Sequence, residues 1–388
     1  MKYHRYEIGT LINQEYWREQ NAYWVNHAYG CYFFVARAGY GKSAILKHLA
    51  VKMSREEKDR RIIIFDVSNE WENSINKPNY NAQNPDAVDD LLVLKNITLK
   101  ISDLTSSKDW SYLGFEGVNG KWLAHIAVNG FKYYNDSPEA FLNIISEMPV
   151  KATEGSGANK RDLLAEWNSK YPKIPLTKPL HEQVSRSAVN NFALIQDYFY
   201  NPLEPNGMNV VEDWFKLIKE NKVILINLNL KANAGQAVWA GAVVGDIMGK
   251  IENYLSRIKP IIILEEGDYL VGNPMIFNRG FYKSSDKIIT YATKHRKDGV
   301  CIYLVGQSIE GFNPDIIKQA NGLVIGALDE KDDSRYGKIA ETLQYDLLNN
   351  KREFYLIDRM QKKRMKFVPV ICCCNAETQG AEWLMKDN

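Results

Sequence analysis

No C-x-x-C pair occurs in the 388 residues. The five cysteines, three of them consecutive at Cys372 to Cys374, show no framework spacing. That excludes a disulfide scaffold and makes a reducing cytoplasm the expected setting. No apolar run is long enough to span a bilayer. The most apolar helical stretch, Ala237 to Met248, is short and carries Asp246. The N-terminal residues are polar and aromatic and lack the apolar centre of a signal peptide. There is no internal repeat. Net charge is only +2, so a surface for a polyanion must be local, such as a loop or a pore. What remains is a soluble chain long enough for one large α/β domain with an insertion, or for two domains.

One stretch organises the rest. The apolar run Tyr32 to Val35 reads as a buried strand. It breaks into Ala36-Arg37-Ala38-Gly39-Tyr40-Gly41-Lys42-Ser43-Ala44, and an apolar helical pattern follows at Ile45, Leu46, Leu49, Ala50 and Met53. Strand, Gly-containing turn, Gly-Lys-Ser and helix are the ordered parts of a P-loop. Successive amides of such a turn face one concavity at the positive end of the helix dipole, which suits the phosphates of ATP. Residues 36–44 are therefore the expected nucleotide-binding segment. Lys42 is placed to reach the β and γ phosphates, and the Ser43 hydroxyl to ligate Mg²⁺. Ala36 stands where the strict pattern has Gly. The extra methyl is harmless with strand-like backbone angles and costly at positive φ.

Taken in order, residues 1–30 form an arm or edge lying on the core, with aromatics that pack. Arg61 to Asp66 is an apolar strand ending in a carboxylate, followed by a turn containing Glu70. Acids at that end of a parallel strand sit where α/β sheets bind ligands, yet Asp66 and Glu70 serve equally well as turn and cap groups. Further edge strands are expected at 91–94 and 97–101. Residues 105–221 read as a helical insertion, with an N-cap at Ser137, Pro at N1, and a Gly-rich loop at 154–160. The sheet resumes at Lys222 and continues through strand segments starting at Pro260, Gly299, Asn321 and Glu353. Strands alternating with helices predict a mainly parallel sheet, with its core in residues 31–104 and 222–388.

Pro260-Ile-Ile-Ile-Leu-Glu265-Glu266 has the form of a Walker B element. The first acid holds Mg²⁺ opposite Ser43, and the second orients and deprotonates the attacking water. Two carboxylates after a buried strand also suit a solvated turn; the neighbouring P-loop favours the metal reading. Gln307, ending the strand Ile302 to Gly306, is a candidate γ-phosphate sensor. Arg296 precedes that strand and is a candidate to stabilise transition-state charge from a neighbouring subunit. A basic residue near a helix C-terminus is equally favoured by the dipole. Lys297 and Arg335 are the next candidates.

The order of these elements resembles the HerA/FtsK superfamily of hexameric DNA-translocating ATPases, and HerA most closely. The resembling residues are Ala36 to Ser43, Phe65 to Trp71 (the family's D-x-x-G-E-Y), Val223 to Leu230 and Leu264 to Asp268 (its E-E-A-H). His295 to Val300 and Val305 to Ser308 continue the match. Asn69 replaces a usual Gly and Asp268 a usual His. Only 30 residues precede the P-loop strand, so a compact form without the N-terminal barrel is expected. The resemblance implies an α/β fold with a RecA-like P-loop NTPase core, a hexameric ring and a DNA partner. It also implies an ATP-driven motor acting in packaging or transfer, with ATP and Mg²⁺ bound. The competing reading is a nucleotide-gated scaffold that binds DNA or protein without translocating. For DNA contact, the segment Gly272 to Ser285 offers Arg279 and Lys283 among Gly, Pro and aromatics, which can grip phosphates without reading sequence. The basic turn Arg359 to Arg364 is the fallback.

Overall fold

The structure is a computed structural model that describes residues 4–11, 21–26, 29–113, 115, 117–203, 211, 213–228, 234–273, 282–327, 353–360 and 363–374. In chain order the strands are β1 His4–Leu11, β2 Asn21–Asn26, β3 Gly30–Val35, β4 Arg61–Asp66 and β5 Leu91–Leu94. They continue as β6 Thr153–Glu154, β7 Arg161–Asp162, β8 Val223–Asn227, β9 Pro260–Leu264 and β10 Cys301–Gly306. The last are β11 Gly322–Ile325, β12 Phe354–Asp358 and β13 Lys363–Pro369. All but β6 and β7 join one sheet, ordered β2-β1-β13-β12-β11-β3-β10-β9-β4-β8-β5. From β11 to β5 every pairing is parallel; the β12, β13, β1, β2 flank is antiparallel. The mainly parallel sheet expected from the alternating pattern is present.

Composition explains the division. Strands β3, β9, β10 and β11 are buried at every position. They read as unbroken runs without a charged residue, rich in Ile, Leu, Val, Phe and Tyr, as a parallel sheet covered on both faces requires. β12 instead alternates buried and half-exposed residues, as an antiparallel flank with one wet face does. The first residues lie within that flank. Tyr6 and Trp24 are buried; the Tyr6 hydroxyl donates to Glu57 at 2.8 Å and the Trp24 indole to the Tyr303 hydroxyl at 3.3 Å.

The chain divides into two compact units. One holds Met1–Lys95, Asp213–Asn229 and Ile247–Asn388; the other holds Asn96–Glu212 and Leu230–Asp246. The chain passes between them after Lys95, after Glu212, after Asn229 and, within the helix Ala234–Ile251, after Asp246. The second unit is mainly helical. Trp110, Phe141, Phe192 and Phe199 form its aromatic centre, Trp110 and Phe141 stacking at 5.5 Å. The helix Pro138–Glu147 starts as expected, Ser137 accepting the Ala140 amide at 3.2 Å. The strand expected at 97–101 is not one. Leu99 makes a single bridge to Phe199, and Ile101–Asp103 is a 3₁₀ turn. Ile97, Leu99 and Ile101 bury their side chains, but among the described residues the segment has no ladder partner, and burial alone does not make a strand.

Candidate active site

The Gly41–Lys42 step converts strand into helix. Gly39 and Gly41 have φ of 72° and 91°, a region where a Cβ is costly. Gly41 is the N-cap of α1, Lys42–Glu56. Upstream, the turn is pinned by two amide bonds, from Ala36 to Gly306 O and from Arg37 to Ala327 O. Among the described residues, the amides of Ala38, Gly39, Gly41, Lys42 and Ser43 have no protein acceptor. They sit at the start of a 15-residue helix, the arrangement that binds phosphate. Ala36 is buried and is not among the residues with positive φ, so its methyl carries no backbone strain. Gly326 leaves room beside it. A Cβ built there would lie 2.8 Å from the Ala36 Cβ and 2.4 Å from the Tyr40 ring.

The acids meet this turn at the C-terminal ends of the strands. β10 lies between β3 and β9, so the strand that Gln307 follows separates the P-loop from the paired glutamates. The Ser43 hydroxyl nonetheless reaches Glu265, donating to Oε1 at 2.7 Å. Burial pushes the Glu265 carboxyl up to about 7, against the opposing effects of Ser43 and Lys47. Burial also lowers Lys42, opposed by Glu265, Asp268, Glu266 and Glu70, whose charges face it. The Lys42 ammonium lies 3.5 Å from the Arg37 carbonyl. Glu266 has φ of 45° and ψ of 48°, a left-handed conformation unusual for a non-Gly residue and characteristic of functional sites. Its carboxyl is raised by burial and by Asp268.

Asp66 is fully buried. Its Oδ1 accepts from the Ser68 amide and hydroxyl, and its Oδ2 from the Trp71 amide at 3.0 Å. Burial raises its carboxyl. Glu70 is exposed, and its carbonyl accepts from Lys47 at 2.9 Å. Asn69 has φ of 62°, which suits the usual Gly and which Asn tolerates. Gln307 is exposed at the end of β10, its amide bonded to Asp268 Oδ2 at 3.3 Å.

The structure therefore gathers 36–44, Asp66, Glu70, Glu265, Glu266 and Gln307 at one end of the sheet. Arg296 is not with them. It precedes β10, whose register pairs Cys301 with Gly30 and Gly306 with Val35, so roughly 16 Å of strand lies between it and the P-loop. Its guanidinium donates to Ala292 O at 2.9 Å and to Gln319 Oε1 at 2.9 Å. Arg279 and Arg335 lie outside the described residues, as does the side chain of Lys283. Three residues of the site were not singled out in the sequence for a role in its chemistry. Lys47 is a fully buried lysine one turn beyond Ser43, Trp71 donates its indole N–H to Glu265 Oε2 at 3.0 Å, and Asp268 is buried against Gly306 and Gly311. A lone lysine on an apolar helical face and a departure from a motif were the available signals.

The site and sheet define an α/β P-loop NTPase fold. No protein-family model matches the chain, and no curated protein does. Among solved structures, the bacterial conjugative coupling protein TrwBdeltaN70 superposes with a TM-score of 0.60 at 11% identity, covering 90% of this chain and 87% of that one. VirB4 of Thermoanaerobacter pseudethanolicus follows with a TM-score of 0.51 at 13% identity, covering 94% and 95%. These likenesses establish the fold. Among the described residues no helix is long and apolar enough to cross a membrane.

Proposed function

We propose that this chain is an ATP-hydrolysing ring motor that translocates DNA, most simply as a hexamer acting in the cytoplasm in DNA packaging or transfer. The observation that carries the reading is the 2.7 Å bond from Ser43 to Glu265, which joins the P-loop to the acid of a separate strand. Their hydroxyl and carboxylate are hard oxygen donors and fit Mg²⁺, whose chemistry when bound is to neutralise phosphate charge. Lys42 and the free amides of the turn hold the β and γ phosphates. Glu266 accepts the proton of the attacking water, and Gln307 marks where the γ-phosphate ends. Arg296, distant from the P-loop of its own chain, serves a neighbour's site across the ring. The shared fold with a conjugative coupling protein favours transfer as the setting. Arg279 and Lys283 are retained as the DNA grip.

The test compares ATP turnover and DNA binding in three proteins: wild type, Glu266→Gln, and Arg279→Ala with Lys283→Ala. Wild type should hydrolyse ATP faster with DNA. The Gln variant should bind ATP without turnover. The double variant should keep basal turnover, lose DNA stimulation and flatten the slope of log K against log salt by about 2. Nucleotide binding without any turnover in wild type would favour the scaffold reading and sink this one.

A further inference from the structure

Trp71 is a large aromatic with no exposed surface, held at both ends of its polar reach. Its backbone amide donates to Asp66 Oδ2 at 3.0 Å, and its indole N–H to Glu265 Oε2 at 3.0 Å. The other oxygen of Glu265 takes the Ser43 hydroxyl. Each carboxylate oxygen therefore has its own donor, on a different element, and rotation of the carboxylate would break both bonds. Lys47 adds a second fastening. Its ammonium lies 5.7 Å from the centre of the Trp71 ring and donates to the Glu70 carbonyl, the residue before Trp71.

We propose that Trp71 is the positioning residue for Glu265: its indole N–H fixes Oε2 so that Oε1 is presented, beside Ser43, to the divalent cation of a bound nucleotide. This rests on the nucleotide reading above. The residue type fits the task. An indole N–H donates and cannot accept, so it orients a carboxylate without competing for the cation. Outer partners of this kind typically tune metal affinity or activity ten- to a hundredfold. A ring placed only for packing would contribute volume, and its N–H would be incidental.

The test removes the N–H and keeps the ring. The full chain carries either Trp71→Phe or benzothienylalanine at position 71, which replaces N–H by sulfur at nearly constant shape. Mn²⁺ binding is titrated by electron paramagnetic resonance in the presence of a non-hydrolysable ATP analogue. Analogue binding in EDTA is measured separately. Both variants should bind Mn²⁺ about tenfold more weakly, with metal-free analogue binding unchanged. Wild-type Mn²⁺ affinity in the benzothienylalanine protein overturns the proposal, whether or not Trp71→Phe folds. Equal losses of metal and of metal-free nucleotide binding in that protein also overturn it, since they report general damage. A wild-type chain that binds neither nucleotide nor Mn²⁺ overturns the nucleotide reading as well, so the two failures are distinguishable.

Discussion

Replacing Asp268 by Asn should make the protein more stable while lowering the ATP turnover proposed for it. Asp268 is 6% exposed, wedged where a Cβ on Gly306 would come within 3.3 Å of its Cγ and one on Gly311 within 3.2 Å of its Cβ. One oxygen accepts the Gln307 amide, and the other has no hydrogen-bond partner among the described residues. Burial pushes the carboxyl up from 3.8 to about 6. For an acid raised in the folded state, the ionised form is the disfavoured one. The penalty is absent below pH 3.8, grows between there and 6, and is complete above 6. Two units at about 1.4 kcal/mol each cost roughly 3 kcal/mol at pH 8, and about half of that at pH 5. Asn keeps an acceptor for Gln307 and removes the charge. Denaturant unfolding of the nucleotide-free chain should show Asp268→Asn more stable by about 3 kcal/mol at pH 8, with the gain roughly halved at pH 5. ATP turnover should fall, as expected when strain stored at a working site is relieved. A gain that does not change with pH, or a loss of stability at pH 8, would refute the argument.

Two other expectations follow from the same geometry. Gly326→Ala should weaken ATP binding, because the new methyl would lie 2.4 Å from the Tyr40 ring in the P-loop. Adding Tyr40→Ala should restore part of the affinity, and no rescue in a nucleotide titration would mean the clash is relieved elsewhere. Mixing Arg296→Ala subunits with wild type should depress ATP turnover by more than the mutant fraction, since each site would depend on a neighbour's arginine. A linear mixing curve would place the arginine's role within its own chain, at Gln319.

Much of the frame was legible in the sequence because its signals are local. The P-loop needs a strand, two glycines, Lys42, Ser43 and a helix within a short run, and the structure builds each where the pattern puts it. The parallel strands could be read from unbroken apolar runs, since burial on both faces removes the polar alternation that an antiparallel edge would show. The segment 97–101 misled because its buried apolar residues make only isolated bridges, with no ladder among the described residues, and strand formation depends on a partner that no local pattern reveals.

Only the tertiary structure decided which side chains meet. Ser43 and Glu265 are separated by 222 residues yet share a hydrogen bond, because the order β3-β10-β9 brings their strand ends to one edge of the sheet. The effect of Ala36 also awaited its backbone angles and the space beside Gly326. Arg296 and Gln307 flank the same short strand in sequence, but β10 carries them to opposite ends of the sheet, so proximity in the chain said nothing about a shared site. Trp71 stands at the last position of the D-x-x-G-E-Y resemblance, but only the fold shows its N–H aimed at Glu265. Residue types and local spacing set what the chain can form, whereas long-range strand order, which costs chain entropy and is repaid by burial, sets which charges face one another.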